Sequence, residues 1–491
     1  MEKPATGVYY ILVSVVLERS CFFGIRNLLN VYLKAALGLA PHEAKSQVHL
    51  FVGLVYAFPL IGAMVSDSFL GKYRTILALF VLYLTGASLL ALFSANGVLA
   101  QYGEYPLWGY YVPALLISMG AGGMMPCMVS HGGDQIKDPV RLEGFFSTLY
   151  LGMSIGSLFG QYLTPYLKEY TVCFGSECYF GAYGASVLLL GMACAIFLLG
   201  RRQYVKTPAP QMFLPWHACC LSFYAFQRYL VASPAERRIR GSILSFACDR
   251  YSPEFVRETQ LIWRITTMFV PLVFAWMLYD QSSTEWQNQY ERMDKNFLGL
   301  VLVPTEASTN INYVLVIFMV PFISQVVYPF LGRRVGHIKD TSKLLMGFLF
   351  VILAFVVSIC LDLILERFPC SEGRCLNGAW QLPQWVLLAI GEAILSPIVY
   401  QFSYTEVGPK LKSCASSLSL LSVAMGNYVI VLAEHLFKDI KQSAIRQSIY
   451  VLIATIALIV LYLLTRFWYV SKRDEDVKAD LEVVFTPALK S

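Results

Sequence analysis

Apolar runs of about 20 residues recur along the whole chain, separated by short polar interruptions. A run of that length forms a helix that crosses the hydrocarbon core of a bilayer. Only 14% of the residues are charged, whereas about a quarter are charged in a typical soluble domain. The sequence therefore predicts an all-α membrane protein with about twelve transmembrane helices. The expected spans are 8–33, 47–69, 75–96, 107–131, 143–167, 179–200, 258–282, 311–331, 342–366, 383–407, 413–436 and 447–470.

The longest polar interruption, about residues 201–257, divides the first six spans from the last six and begins "RRQYVKTPAPQ". Two six-helix bundles joined in this way are typical of the major facilitator fold, in which solute binds near the bilayer midplane between the bundles. The predicted domains are an N-terminal bundle (1–200), a cytoplasmic linker (201–257), a C-terminal bundle (258–470) and a cytoplasmic tail (471–491). We expect "SFACDRYSPEFVRETQLIWR" in the linker to form an amphipathic helix at the inner membrane surface.

Lysine and arginine concentrate in alternate short loops, and such loops remain in the cytoplasm. The loops in question contain Lys72, Arg74, Lys137, Arg141, Arg333, Arg334, Lys410, Lys412, Lys472 and Arg473. We therefore expect both termini in the cytoplasm, with the plasma membrane as the location and an internal membrane as the alternative. The first span is too long for a cleavable signal peptide and lacks a small-residue cleavage site. The net charge of +6 follows from this loop asymmetry, so we expect no nucleic-acid partner.

Most of the twelve cysteines lie singly in apolar spans, where cysteine behaves as a small hydrophobic residue. Two pairs differ, because Cys173 with Cys178 and Cys370 with Cys375 share one spacing and lie in loops expected outside. The outer side of a membrane is oxidising, so each pair is a candidate disulfide. Neither loop offers the four ligands of a structural zinc site, and we expect no metal.

The loop after the second span reads "GAMVSDSFLGKYRT", with Asp67 and Arg74 on either side of a Gly-Lys turn. This pattern is similar to the cytoplasmic loop motif of the major facilitator superfamily. The aspartate would pair with an arginine or bind a helix N-terminus, and both residues are candidates for conformational gating. The alternative is an ordinary basic loop.

Charged residues interrupt the first span in "VVLERSCFFGIR", where Glu18, Arg19 and Arg26 lie among apolar residues. A charge at the centre of a transmembrane helix costs about 2.5–3.5 kcal/mol and usually faces a cavity or a partner. Arg19 and Arg26 share one helix face, and a guanidinium can bind a carboxylate through two hydrogen bonds. These arginines are therefore candidates for binding an anionic group, with an internal salt-bridge network as the alternative.

Glu392 is the second deeply placed charge, in "LLAIGEAILSPIV". Burial penalises its ionised form unless it is paired, so it is suited to carry a proton or to hold an amino group. A structural pairing with one of the arginines is the alternative. His49, at the outer end of the second span, is a candidate proton-responsive switch. A purely structural histidine remains the other interpretation.

The sequence contains no Walker loop, no dinucleotide fingerprint and no Ser-His-Asp arrangement in a recognisable context. We therefore expect neither an enzyme nor a bound cofactor.

Several segments together resemble the proton-coupled oligopeptide transporter family, and more closely its animal-type branch. "ERSCFFGIR" is similar to the ExxERFxYYGMR motif of its first helix, and "GAGGMMPCMVSHGGDQ" to its GTGGIKPCVxxxGxDQ stretch. "FFSTLYLGMSIGSL" resembles FFSxFYxxINxGSL, and "AWMLYDQSSTEW" resembles FWALxDQxGSxW. The order and spacing of these segments make the resemblance specific.

The resemblance implies uptake of di- and tripeptides by symport with protons through alternating access. It implies that Arg19 and Arg26 bind the peptide carboxylate, that Glu392 and Asn312 bind its amino group, and that aromatic residues line the cavity. Those aromatic residues are Tyr56, Tyr150 and Trp286. The predicted proton carriers are Glu18, Glu392 and His49. The expected partners are peptides, protons and the lipid bilayer, and we expect a monomer.

This sequence departs from the family pattern at several cavity positions. Val15 stands where the family has a glutamate, and Met125 where it has a lysine, so one negative and one positive charge are absent together. The other departures are Phe22, Phe23, Ser154 and Ser419. They leave two alternatives open: an uncoupled carrier of peptides or of another small anionic or amphoteric solute, and a peptide sensor that transports nothing.

Overall fold

The computed structural model describes residues 7–35, 38–39, 41–95, 108–173, 176–206, 214–294, 296–297, 301–302, 310–336, 338–368, 376–408, 411–437, 440 and 442–469. Long helices dominate these ranges. They are α1 (Gly7–Ala35), α2 (Pro41–Val65), α3 (Lys72–Phe93), α4 (Trp108–Gly133), α5 (Pro139–Tyr170), α6 (Tyr179–Leu199), α7 (Leu214–Val231), α8 (Pro234–Arg240), α9 (Pro253–Glu291), α10 (Asn310–Phe322), α11 (Tyr328–Val335), α12 (Asp340–Arg367), α13 (Leu382–Thr405), α14 (Lys412–Leu436) and α15 (Ser443–Leu463).

Each of the expected spans coincides with a helix, or with the pair α10 and α11. Ten helical stretches of the described chain are long and apolar enough to cross a membrane. Helices α5 and α14 have 32 and 25 residues, which at 1.5 Å per residue exceeds the roughly 30 Å hydrocarbon core. They are less apolar because they carry buried serines, namely Ser154, Ser157, Ser416, Ser417, Ser419 and Ser422. The all-α membrane fold predicted from the sequence is confirmed.

Two separate hydrophobic cores give two bundles. Residues of α1 to α6 form most of the first, including Ile11, Phe80 and Tyr183, and Tyr404 and Leu420 of the other bundle pack against them. Residues of α9 to α15 form the second, including Met268 and Phe348. Each bundle is therefore held together by its own apolar interior, and the surfaces between the bundles are free to carry polar groups.

One face of the molecule collects the arginines and lysines of the alternate loops. Helices α2, α4, α6, α11 and α13 end there, and we call it the basic face. Gly71 adopts a φ of +75° on this face, a conformation that glycine tolerates best. It allows the chain to turn from the wide helical turn Ser66–Leu70 into α3, which begins at Lys72.

The linker contains α7, α8 and a short 3₁₀ turn (Leu244–Ala247). The stretch 245–264 is expected to form an amphipathic helix. In the structure it comprises the end of this turn, the connection to Ser252 and the beginning of α9. Helix α9 starts at Pro253, because Ser252 accepts a hydrogen bond from the Phe255 amide and proline favours the first helical position. The longer linker helix is α7, which packs against residues of both bundles at the basic face.

The opposite face carries two small hairpins. Strand β1 (Val172–Cys173) pairs antiparallel with β2 (Ser176–Glu177), and β3 (Asn296–Phe297) pairs with β4 (Val301–Leu302). Cys173 and Cys178 form a disulfide beside the first hairpin, with their Cα atoms 4.8 Å apart. The second predicted pair, Cys370 and Cys375, lies outside the described residues.

A close helix crossing fixes the position of the first-helix charges. A Cβ at Gly160 of α5 would collide with the carbonyl oxygen of Ser20, and one at Gly156 would lie 3.1 Å from the Cβ of Arg19. Helices α1 and α5 can therefore approach closely only because these residues are glycine. This contact holds Arg19 beside α5, at the surface between the bundles.

Candidate functional site

A cavity of about 220 Å³ lies between the two bundles, near the middle of their helices. Both bundles line it. The N-terminal wall comprises Arg19, Phe23, Arg26, Val55, Tyr56, Pro59, Ala121, Gly122, Met125, Tyr150, Met153, Ser154 and Ser157. The C-terminal wall comprises Trp276, Tyr279, Asp280, Ser282, Asn312, Tyr313, Trp385, Glu392, Ser396, Val399, Tyr400, Ser419, Leu420 and Val423. The two arginines therefore face two acids across the gap.

Arg19 is already paired within its own helix. Its Nε and Nη2 donate to the two carboxylate oxygens of Glu18 at 2.6 and 2.7 Å. Glu18 is 2% exposed and is not among the described residues that line the cavity. The charge of Arg19 is thus compensated by a residue that lies outside the cavity lining.

Arg26 is the less constrained cation. Within the described part of the chain it forms no ion pair shorter than 4 Å, and its guanidinium lies 5.8 Å from the centroid of the Phe23 ring. It is close enough to Asp280, on the other wall, to interact with it electrostatically. Since arginine stays charged in proteins, Arg26 gives the N-terminal wall a permanent positive charge.

Glu392 is held by donors from both bundles. Its Oε2 accepts a hydrogen bond from Asn312 Nδ2 at 2.6 Å, and its Oε1 accepts one from the hydroxyl of Tyr150, which belongs to α5 of the other bundle. Both donors are neutral, and Glu392 is 4% exposed. The carboxylate is satisfied by hydrogen bonds while its charge remains uncompensated by these contacts.

Asp280 is a second acid on this wall, and its Oδ2 accepts a hydrogen bond from Asn427 Nδ2 at 2.6 Å. Sequence reasoning missed it, although it lies inside the segment "AWMLYDQSSTEW" that carries part of the family resemblance. The signal was a charged residue in an apolar span, the same signal that identified Glu392.

Trp286 does not line the cavity, contrary to the prediction from the sequence. Its side chain is fully buried in the C-terminal bundle, with its ring centroid 4.5 Å from that of Trp385 and 5.2 Å from that of Phe355. Trp276, ten residues earlier on α9, faces the cavity instead. Ten residues at about 100° each leave the two tryptophans on different sides of the helix.

The other predicted residues are placed as follows. Tyr56 and Tyr150 line the cavity, as do Met125, Ser154 and Ser419 among the positions that depart from the family pattern. Val15 and Phe22 are 2% exposed and belong to the N-terminal core. His49 falls within the range of α2, and its side chain lies outside the described residues.

Contacts between the bundles close the basic face below this cavity. Asp67 is buried, and its Oδ2 accepts a hydrogen bond from the Cys414 amide in the first turn of α14 at 2.9 Å. A carboxylate is stabilised at a helix N-terminus, one of the two arrangements expected for this residue. Arg74 is exposed and makes no ion pair in the described ranges, so the structure gives no support to its predicted gating role.

Lys72 and Asp134 form an ion pair at the contact between the bundles on the basic face. Lys72 Nζ lies 2.5 Å from Asp134 Oδ2, while Asp134 Oδ1 accepts from the Tyr404 hydroxyl at 2.8 Å and lies 3.4 Å from Lys412 Nζ. Burial alone would raise the pKa of the Asp134 carboxyl, but Lys72, Lys412 and Tyr404 outweigh it and hold that pKa below its ordinary value. Asp134 therefore joins the two bundles as a carboxylate.

A second ion pair spans the bundles on this face, between Glu143 of α5 and Lys343 of α12. Lys343 is 3% exposed, and its ammonium also lies 4.8 Å from the Tyr328 ring centroid. In the part of the chain that the structure describes, no three His, Cys, Asp or Glu side chains lie together as metal ligands would. The site is therefore a charged cavity, closed by polar contacts at one face.

Comparison with known proteins identifies the family of this chain. The sequence profile described as PTR2, POT family, matches residues 73–452. Peptide transporter family 1 of Drosophila melanogaster is 33% identical over 373 residues, covering 74% of this chain and 48% of the fly protein. Solute carrier family 15 member 2 of Homo sapiens is 29% identical over 378 residues, covering 75% of this chain and 50% of the human protein. The chain thus spans about half the length of the curated relatives it matches.

Solved structures agree with the sequence comparison. The crystal structure of the POT family transporter PepTSo superimposes with a TM-score of 0.69 at 25% identity, covering 94% of this chain and 98% of that one. A crystal structure of a proton dependent oligopeptide (POT) family transporter gives a TM-score of 0.64 at 25% identity, covering 92% and 100%. The profile matches well over half of the sequence, and the chain belongs to the POT family.

Proposed function

We propose that the protein is a secondary active transporter that takes up di- and tripeptides together with protons by alternating access. The observation that carries this proposal is a cavity between the bundles with Arg26 on one wall and Glu392 and Asp280 on the other. A zwitterionic peptide has a carboxylate for the arginine and an ammonium for the acids. Solute binding between two bundles is the arrangement expected for rocking transporters.

In this mechanism Arg26 binds the peptide carboxylate. Arg19 also binds it when its ion pair with Glu18 opens. Glu392 binds the peptide ammonium, and Asn312 holds the carboxylate of Glu392 in position. Tyr56 and Tyr150 contribute aromatic surface, and Tyr150 connects the two walls through Glu392. Glu392, Glu18 and His49 are the proposed proton carriers.

For the solute to leave through the basic face, the contacts of Asp67, Asp134 and Glu143 with the other bundle must break. We propose that this face is cytoplasmic, because it carries the lysines and arginines of the short loops. Both termini would then be cytoplasmic. A monomer in the plasma membrane is the simplest arrangement of this scheme.

An uncoupled carrier is the second candidate, and a specific observation favours it. Val15 and Met125 are apolar at positions where the resembling family has a charge pair, and Met125 lines the cavity. Loss of both halves of a buried pair can be neutral for stability. It removes two charges on which proton coupling could depend, while leaving the peptide contacts in place.

The test is uptake of a labelled dipeptide into liposomes containing the purified protein, with and without an inward proton gradient. Accumulation above equilibrium supports the symporter. Equilibration alone supports the uncoupled carrier. Saturable binding without flux would overturn both and indicate a sensor.

A further inference from the structure

Helix α7 in the linker has an apolar stripe that faces away from the protein. Cys219, Phe223, Phe226 and Leu230 recur at intervals of four, three and four residues, which places them on one helix face. Phe223 is 64% exposed and Leu230 is 58% exposed. Apolar side chains this exposed on one helix face indicate an interaction surface.

The other side of α7 is already occupied. Leu221 and Ala225 are fully buried against Ala63 of α2 and against Leu411 and Cys414 of the C-terminal bundle. Packing against the protein therefore accounts for the inner face of α7 and leaves its outer stripe unexplained.

The outer stripe continues the lipid-facing surface of α9. Trp263 of α9 is 50% exposed, and its Nε1 donates a hydrogen bond to Ser222 Oγ of α7 at 2.9 Å. Val270, seven residues further along the same face of α9, is 58% exposed. Tryptophan on a transmembrane helix is enriched at the headgroup level. Helix α7 therefore lies at the depth where α9 enters the bilayer.

Arginines surround this stripe. Residues 214–252 contain five arginines and two acidic residues. Arg240 is paired with Glu236 and Asp249, and Arg237 donates to the carbonyl oxygens of Tyr229 and Leu230 at the end of α7.

Arg250 lies near the rings of Tyr224 and Tyr251. The other two arginines are the ones that can reach a ligand. Arg238 is exposed and has no ion pair within the described ranges. Arg228, on α7 itself, reaches Asp249 only at 3.4 Å with half of its side chain exposed. Arg228 lies in the last turn of α7, where the stripe ends with Leu230. Arg238 lies on α8, and its neighbour Arg237 contacts that same end of α7.

We propose that α7 lies in the headgroup region of the leaflet at the basic face and binds anionic phospholipid there. The stripe of Phe223, Phe226 and Leu230 sits among acyl chains, and Arg228 and Arg238 bind the lipid phosphate. A phospholipid offers both chemistries on one molecule, and its position follows from the continuity with α9. Helices that combine an apolar face with basic residues bind membrane surfaces in this way.

The position of α7 gives this lipid a structural consequence. Its inner face packs on Cys414, whose amide binds Asp67 across the two bundles. Bound lipid would hold α7 against that junction and so favour the closed basic face. The inference requires insertion in a membrane and does not depend on which solute is carried.

The experiment measures binding of fluorescent phosphatidylserine to the full chain in phosphatidylcholine nanodiscs. We expect R228Q/R238Q to weaken binding about 30-fold, since a basic residue near an anionic membrane contributes about fivefold in affinity. The matched control is R333Q/R334Q, which removes two exposed arginines from the basic end of α11. This pair also lies on the basic face but not beside the stripe of α7, so its loss should weaken binding clearly less than R228Q/R238Q does. R228K/R238K should retain binding, because lysine also binds phosphate as a point charge.

Equal losses in the two glutamine variants, or no loss in either, would overturn the lipid site. A second measurement tests the stripe itself. An environment-sensitive dye on Cys219, with the half-buried Cys194 and Cys220 and the exposed Cys248 and Cys360 changed to serine, should be quenched by brominated phosphatidylcholine. An unquenched dye would mean that the stripe faces water or another protein, and the proposal would fail.

Discussion

The two walls of the cavity balance their charges in different ways. The N-terminal wall takes both of its cations from α1 and neutralises one of them with the adjacent Glu18. The C-terminal wall takes its acids from α9 and α13 and holds each with a neutral amide, Asn427 for Asp280 and Asn312 for Glu392. An arginine keeps its charge at any physiological pH. The buried carboxylate of Glu392, whose hydrogen-bond donors Asn312 and Tyr150 are neutral, can exchange its charge for a proton or for an ammonium. The comparison suggests a fixed wall and an adjustable wall.

Glu392→Gln should have the largest effect, because the C-terminal wall then loses a carboxylate that can gain or release a proton. Glutamine keeps one acceptor oxygen for the Asn312 amide, and its NH₂ group can donate to the Tyr150 hydroxyl oxygen, but it cannot change its protonation state. We expect loss of gradient-driven dipeptide accumulation in liposomes, with exchange of labelled for unlabelled peptide retained. The control is Glu366→Gln on the exposed end of α12, which should accumulate peptide normally. Accumulation by the Glu392 variant would remove this residue from the coupling scheme.

Arg26→Ala removes the less constrained charge of the fixed wall. A hydrogen-bonded charge contact contributes about 1.5–3 kcal/mol, so affinity for free dipeptides should fall about 10- to 100-fold. Dipeptides amidated at the carboxyl end should lose far less, since they do not present a carboxylate. Competition against a labelled dipeptide measures both classes, with Arg333→Ala as a surface control. An equal loss for both classes would show that Arg26 is structural.

Asp280→Asn tests whether the second acid shares the work of Glu392. Asparagine still accepts the hydrogen bond from Asn427, while the negative charge opposite Arg26 disappears. We expect affinity for zwitterionic dipeptides to fall about 3- to 10-fold, corresponding to about 1 kcal/mol. N-acetylated dipeptides should change less. If both classes weaken alike, Asp280 acts on Arg26 and does not contact the amine.

Tyr404→Phe should have the smallest effect, because it alters the gate below both walls. It removes one hydrogen bond to Asp134, and Lys72 and Lys412 remain. Such a bond contributes about 1 kcal/mol, so the ratio of closed to open basic face should fall about fivefold. Distances between spin labels on α5 and α12 report this population, with Tyr9→Phe, exposed on α1, as the control.

The pH dependence of the same gate follows from Asp134. Its pKa lies below the ordinary value, since Lys72 and its neighbours outweigh the effect of burial. The contact is therefore fully present above about pH 4, the usual range of an aspartate, and weakens as the pH falls through the lowered pKa. The spin-label distances should stay constant between about pH 7.5 and 5.5. A shift within that interval would assign the gate to another titrating group.

The sequence predicted the helices and the positions of most cavity charges, because apolar runs and buried charges leave local signals. Arg19 and Arg26 are seven residues apart, which is close to two full helical turns, and both face the cavity. The phase of α9 was harder to predict. The family resemblance points to Trp286, whereas Trp276 and Asp280, four residues apart and on one face, line the wall.

The contacts between bundles could not be predicted from local patterns. The Tyr404 and Asp134 pair is separated by 270 residues, and the partner of Asp67 is a backbone amide of α14. Such contacts depend on how two independently packed bodies meet. For the same reason, periodicity in the linker did not distinguish the separate helix α7 from the first turns of α9.

The disulfide beside the first hairpin can report the orientation of the whole molecule in the membrane. It lies on the face opposite the lysine- and arginine-rich loops. A reductant that cannot cross lipid reaches this bond from one compartment only. The compartment from which the bond is reduced therefore gives the direction in which each helix crosses the bilayer. Persistent bonds of this kind belong to oxidising compartments. In intact cells, protection of Cys173 and Cys178 from thiol reagents until an external reductant is added would therefore identify which mouth of the cavity meets the outside.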